Sequence, residues 1–235
     1  SGGFSRTDGD FNAGTTTITF YCPNNTTRDI IGDLTLNHVR FDHGGWTSSS
    51  RGYNLNNSTL TVTGDLYIRG YESGSFSHHF HNGTIIKTGA GSITTNSDRI
   101  VRGSAVFRIQ GDGDVTISYL RMNLSEVWFE KSSGTITVEN GLLFGDAGDR
   151  DTRVYFNSDM DLTANSTTCK LRSRKHSEVY VDGTQIPEFY DLILNLGGMT
   201  GHDNIELQGN TLVVRNSLDI LNSDGTWSSR IQNGT

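Results

Sequence analysis

Three stretches of this chain carry one order of apolar and polar residues at a fixed interval, and that interval limits what the chain can fold into. The first is Thr59-Leu60-Thr61-Val62-Thr63-Gly64-Asp65-Leu66-Tyr67-Ile68. The second is Thr135-Ile136-Thr137-Val138-Glu139-Asn140-Gly141-Leu142-Leu143-Phe144, and the third is Thr211-Leu212-Val213-Val214-Arg215-Asn216-Ser217-Leu218-Asp219-Ile220. Leu60, Ile136 and Leu212 follow one another at equal intervals. In each copy two alternating apolar pairs flank a turn-prone Gly or Asn, so each reads as strand, turn, strand with one apolar face. Self-similarity at a fixed period is the mark of a repeat architecture. The core of the repeat is therefore expected at Leu60, Val62, Leu66, Ile68, Ile136, Val138, Leu142, Phe144, Leu212, Val214, Leu218 and Ile220.

Further elements accompany these. Asp33-Leu34-Thr35-Leu36-Asn37, Asp114-Val115-Thr116-Ile117-Ser118 and Asp191-Leu192-Ile193-Leu194-Asn195 share a pattern. Short alternating strands stand upstream of them at 17–20, 105–108 and 178–181. Gly74-Ser75-Phe76 with Asn82-Gly83-Thr84 is echoed by Gly225-Thr226-Trp227 with Asn233-Gly234-Thr235. This echo leads to the expectation of a fragment, or of a subunit whose end meets another chain. The modules run approximately 9–84, 85–160 and 161–235 within one elongated domain.

Composition agrees with many short strands and tight turns. The chain has 28 Gly, 2 Pro and 33% apolar residues, and it is rich in Ser, Thr, Asn and Asp, which suit turns. Its 11 Phe, 8 Tyr and 3 Trp supply apolar surface that a disordered segment lacks. Helical spacing of Ala, Leu, Glu and Lys is missing. A module of about 76 residues divides into three coils of about 25, within the range of stacked repeats. The expectation is an all-β, right-handed parallel β-helix of about nine coils, because crossovers between parallel strands are overwhelmingly right-handed. The alternative is a string of antiparallel β-sandwiches, against which stands the absence of linker-like composition between modules.

The strand patterns resemble the β-strand repeat regions of large secreted and cell-surface bacterial proteins. The residues that carry the likeness are Gly9 through Phe20, Phe189-Tyr190-Asp191-Leu192-Ile193-Leu194-Asn195, and Leu60 through Ile68. The resemblance implies an extracellular or cell-surface structural or adhesive role, and it carries no catalytic residues to transfer.

Charge and motifs narrow the function further. A net charge of −7 disfavours a nonspecific grip on nucleic acid. The basic run Lys170, Arg172, Arg174, Lys175 and His176 partly alternates, as on the outer face of a strand. No stretch of about 18 apolar residues is present, and the opening residues Ser1 to Arg6 do not look like a secretion signal. Cys22 and Cys169 stand in different modules and read as either a disulfide or two buried thiols. Asn-x-Ser/Thr triplets begin at Asn24, Asn25, Asn56, Asn57, Asn82, Asn123, Asn165 and Asn233, which is acceptor potential only.

Two groups are candidate metal ligands. His79 and His81 would project from one side of a strand, although no further ligands can be placed and an exposed polar strand or loop is the simpler reading; His38, His43, His176 and His202 are scattered. Acidic turns at Asp8-Gly9-Asp10, Asp112-Gly113-Asp114 and Asp146 with Asp149 and Asp151 offer oxygens of the kind calcium takes, with ordinary turn chemistry as the simpler reading. The expectation is a non-enzymatic chain without cofactor, calcium being the alternative. Its expected partners are like subunits or further repeats of the same chain, end to end, and surface glycans. The runner-up function is a glycan-binding module or polysaccharide depolymerase, suggested by outward Tyr67 and Tyr119 and by Trp46, Phe76 and Trp227 at turns. No carboxylate pair stands out for acid and base work on a sugar.

Overall fold

The computed structural model describes residues 4–5, 14–23, 26–43, 52–69, 78–95, 101–145, 151–162, 166–173, 178–196, 204–221 and 230–235. Every strand pairing among them is parallel, which is the signature of stacked coils and excludes antiparallel sandwiches. The chain is a β-solenoid. One sheet has seven strands: Thr17–Cys22, His38–His43, Leu66–Arg69, Gly91–Thr95, Val115–Ile117, Ile136–Val138 and Met160–Asp161. The other has fifteen and is folded along its length into two wings.

Each coil visits the first wing, then the second wing, then the seven-stranded sheet. In one coil these are residues 78–81, 83–87 and 91–95; in the next they are 101–103, 106–111 and 115–117. Long strands such as Tyr53–Val62 and Val101–Gly111 turn the corner between wings without ending, and the pairing register shifts there, between Asn54 and Ser58 and between Gly103 and Val106. A bulge bends a strand while keeping most of its ladder. Asn56, Asn57 and Asn82 hold φ of 50°, 61° and 51° at this corner, a conformation that Asn tolerates better than most residues. Gly103 has φ 130°, and a Cβ there would overlap the Phe80 carbonyl of the preceding coil.

Counted on the seven-stranded sheet, the solenoid makes about seven turns rather than the nine expected; the first wing runs on through ten stacked strands. A coil takes 21 residues between Asp114 and Thr135 but 27 residues between Asp65 and Ser92. The lower count reflects the seven-stranded sheet ending at Met160–Asp161 while the first wing continues, and the variation in coil length shifts the repeat. Leu142 and Leu218 are in one column, Leu142 stacking on Cys169, Cys169 on Leu192 and Leu192 on Leu218. Leu60 and Val62, by contrast, lie on the second wing, and Leu66 and Ile68 on the seven-stranded sheet. The recurring motif therefore encodes a corner. Its first copy forms a different corner from its second and third.

Alternation does the rest. Leu34, Leu60, Ile85, Phe107, Val127, Val154 and Val181 follow in register on seven successive coils, each at most 2% exposed. Aromatic rings fill the early coils, where Phe41 contacts Phe20, Tyr53 and Phe80 at centroid distances of 5.4, 4.8 and 4.8 Å. Farther along, Phe129 stacks on Phe156 at 5.3 Å. The buried residues form one continuous cluster along the stack. Cys22 and Cys169 are both buried free thiols within it, and burial pushes the Cys169 thiol above its ordinary range. Among the described residues no helix is long and apolar enough to cross a membrane.

Candidate binding surfaces

Among the described residues the acidic turns are occupied by the fold itself. Asp33, Asp65, Asp114 and Asp151 each stand immediately before a strand, and each Oδ1 accepts a backbone N–H from the following coil. The donors are Thr59 at 2.7 Å, Ser92 at 2.8 Å, Thr135 at 2.9 Å and Glu178 at 2.8 Å. Asp191 does the same for Ser217 at 3.2 Å. Asp112 accepts from the hydroxyls of Ser132 and Ser133 at 2.7 and 3.0 Å. These bonds hold the carboxyls of Asp112 and Asp114 below the usual carboxylate range, and at Asp191 the Asn216 amide, donating at 2.8 Å, lowers the carboxyl most, followed by the Ser217 hydroxyl. For Asp65, burial pushes upward, but the Ser92 bonds and the nearby His38 outweigh it, so its carboxyl also lies low. A carboxylate committed to a neighbouring coil has fewer oxygens to offer an ion. Asp8, Asp10, Asp146 and Asp149 lie outside the described residues.

His79 and His81 do come together, their rings stacked at 5.8 Å, but on a strand where His78 and His79 are only 2% and 3% exposed. Among the described residues no group of three or more His, Cys, Asp or Glu side chains is placed to hold a metal ion. Lys170 and Arg172 alternate with buried Cys169 and Leu171 and point outward from one strand; Arg174, Lys175 and His176 are outside the described residues. Asn123 is 2% exposed and accepts a 2.6 Å bond from Thr152, so it is no acceptor for glycan in the folded chain.

Lys87 is a feature that motif reading passed over. It occupies an interior position, stacked between Val62 and Ile109, and is fully buried. Its Nζ donates to the carbonyls of Thr88, Gly89 and Ala90 at 2.8, 2.9 and 3.1 Å, so the ammonium caps the turn that follows its own strand. Burial, with a smaller contribution from Lys131, pushes it down to about 8, while Asp65 works the other way. The signal was present in the alternation Thr84-Ile85-Ile86-Lys87, which points Lys87 inward with Ile85.

The outer faces carry two aromatic arrangements of different kinds. On the second wing Arg108, Trp128 and Tyr155 stack on successive coils. The Arg108 guanidinium lies 4.6 Å from the Trp128 ring, and the Tyr155 ring lies 3.5 Å from it on a nearly parallel plane. Trp128 Nε1 donates to Glu126 at 2.8 Å and Arg108 to Glu130 at 3.0 Å. Beside them Arg153 covers Tyr180 at 4.6 Å. Here the ring faces are used to tie coil to coil. Tyr119 is similarly engaged, since a Cβ on Gly141 of the next coil would sit 3.2 Å from its ring.

Tyr67 is placed differently. On the outer face of the seven-stranded sheet, Thr19, Arg40, Tyr67 and Thr94 stack in register on four successive coils. With Thr17 and Arg69 they line a cleft of about 490 Å³. Trp46, Phe76 and Trp227 lie outside the described residues.

A last surface lies at the end of the first wing. Leu218 and Ile220 stack on buried Leu192 and Leu194, yet they are 51% and 56% exposed. They were expected in the core. Their positions are interior, but among the described residues no strand pairs with the far edge of Val213–Leu221. Leu212 and Val214, in the same copy of the repeat, are partly buried against the core.

No family model, curated protein or solved structure matches the chain.

Proposed function

We propose that this protein is an extracellular structural or adhesive scaffold whose coils stack end to end, either on further coils of the same chain or on a like subunit. The observation that carries this reading is the exposed interior column at Leu218 and Ile220, in register with a buried column beneath it. A strand edge with unpaired N–H and C=O groups beside an uncovered apolar column is a template for another parallel strand. A heterologous contact of this kind, repeated without closure, produces a filament. A structural role is supported further by Asp33, Asp65, Asp114, Asp151, Trp128 and Tyr155, whose side chains are engaged between coils.

Negative-stain microscopy tests this across a range of concentrations. The native protein should give rods that lengthen as concentration rises, and the double substitution Leu218→Asp with Ile220→Asp should leave only short rods with unchanged circular dichroism. Short rods of one length from both proteins, at every concentration, would overturn it.

A further inference from the structure

We infer that Asn57 is the acceptor for an N-linked glycan on the folded protein, within the triplet Asn57-Ser58-Thr59. The inference goes beyond the scaffold reading and rests on its extracellular half, because such glycans are added to exported chains. The corner between the two wings creates the site. Along Tyr53–Val62 the inward positions are Tyr53, Leu55, Ser58, Leu60 and Val62, so Asn56 and Asn57 fall outside in succession. Both are exposed, with φ of 50° and 61°, and the pairing with the next coil is interrupted between Asn54 and Ser58. From there the two asparagines differ. Asn56 turns back along the corner, its Nδ2 donating to Asp29 at 3.0 Å and its Oδ1 accepting from Asn54 at 2.9 Å. The Asn57 amide makes no hydrogen bond among the described residues, and the coils on either side of it, at 28–36 and 78–87, are described throughout.

The hydroxyl that the triplet requires is available too. Thr59 is half-buried and its backbone N–H is tied to Asp33 at 2.7 Å, but its Oγ1 makes no hydrogen bond among the described residues. The other described triplets each lack one of these features. Asn56 depends on Ser58, which is 8% exposed and accepts the Gly32 N–H at 2.9 Å. Asn82 donates to Asn54 at 3.1 Å and accepts from Ser104 at 3.3 Å. Asn123 is buried. Asn233 donates to Glu206 at 2.8 Å, and the Thr235 hydroxyl is paired with that of Thr211 at 2.7 Å. Asn24, Asn25 and Asn165 lie outside the described residues. The donor is a lipid-linked oligosaccharide diphosphate. Asn57 Nδ2 forms a bond to the anomeric carbon, the bond from that carbon to the diphosphate oxygen breaks, and one amide proton is released to solvent. A hydrated glycan on this corner leaves the strand edge at Val213–Leu221 open for the end-to-end contact.

The test is transfer in vitro to the purified, folded protein, from a lipid-linked oligosaccharide and by an oligosaccharyltransferase that requires only Asn-x-Ser/Thr, with the sites mapped by mass spectrometry. The acceptor is read on purified protein, so a failure of the extracellular reading, seen by cell fractionation, is a separate result. The native protein should gain one glycan, at Asn57. Asn57→Gln and Thr59→Val should lose it, whereas Asn56→Gln and Thr59→Ser should keep it, each variant being checked for its fold by circular dichroism. Equal occupancy at Asn56 or Asn82 would overturn the distinction among the corner asparagines. No transfer to the folded protein, while a peptide of residues 53–62 is modified in the same reaction, would overturn the site.

Discussion

Leu142 and Phe144 lie in the middle of the solenoid, and Leu218 and Ile220, one repeat later, sit in the same two columns. The first pair is 1% and 0% exposed, the second 51% and 56%. Between Phe144 and Ile220 the column passes through Leu171 and Leu194 in register. Equivalent residues, in equivalent strands, thus differ in burial by half of their surface or more. Local pattern decides which way a side chain points; whether it is buried depends on the coil laid on top. Stability in such a stack is carried largely by contacts between neighbouring coils.

The widest gap between the two regions should appear on truncation. Phe144→Ala removes a ring packed against Phe129 and Phe156 at centroid distances of 6.1 and 6.4 Å, and it should cost about 3–5 kcal/mol. Denaturant unfolding followed by circular dichroism measures this. The same technique, applied to the interior lysine, asks whether the middle of the stack tolerates charge. Lys87 lies at about 8 when folded against its ordinary 10.5, so between those values the unfolded chain binds more protons. Stability from this group is therefore lowest below pH 8 and increases as pH rises from 8 toward 10.5. Thermal melts of the native protein should show this rise relative to Lys87→Met, and identical pH profiles for the two would contradict it.

Smaller effects should follow at the corners. Asp65→Ala strips the Ser92 N–H and hydroxyl of their acceptor and should cost about 1 kcal/mol. Asp65→Asn keeps an acceptor oxygen and should cost less. Because the folded carboxyls of Asp65, Asp114 and Asp191 lie low, their contribution is complete above the usual carboxylate value and is lost as pH falls through their lowered values. Asp65→Asn should accordingly flatten the acid limb of the stability profile. The smallest change is expected at the end of the stack, where Ile220→Ala in dilute solution should cost under about 1 kcal/mol, since much of that side chain is already in water. A cost at Ile220 equal to that at Phe144 would erase the distinction between middle and end.

Much of this fold was legible in the alternation of apolar residues. Leu34-Thr35-Leu36 and Ile136-Thr137-Val138 announce strands with one inward face, and both lie inward as read. The acidic residues that open the shared motifs were visible too, as Asp33 and Asp114 before strands and Asp191 within one, but their partners were not. Those partners are 21 to 26 residues away in the chain, and coil length varies enough that no fixed offset predicts them. The same variation hid the displacement of the first repeat copy by one corner. The cleft at Arg40, Tyr67 and Arg69 could not be read for the same reason: Thr19, Arg40, Tyr67 and Thr94 are neighbours in space, yet the chain between them is long and its coils are unequal. Tyr67 was marked as an outward aromatic, but its neighbours come from other coils.

The stacking itself is tested most directly by distance. Thr61, Ile86, Arg108, Trp128, Tyr155 and Asp182 lie in one outward column of the second wing, each opposite the next on the adjoining coil. Five intervals of about 4.8 Å place the Cα atoms of Thr61 and Asp182 roughly 24 Å apart. Pulsed electron resonance between spin labels on Thr61→Cys and Asp182→Cys should give one narrow distribution near that value, widened only by the label arms. A broad distribution, or one centred beyond about 45 Å, would mean that these coils do not lie one on another.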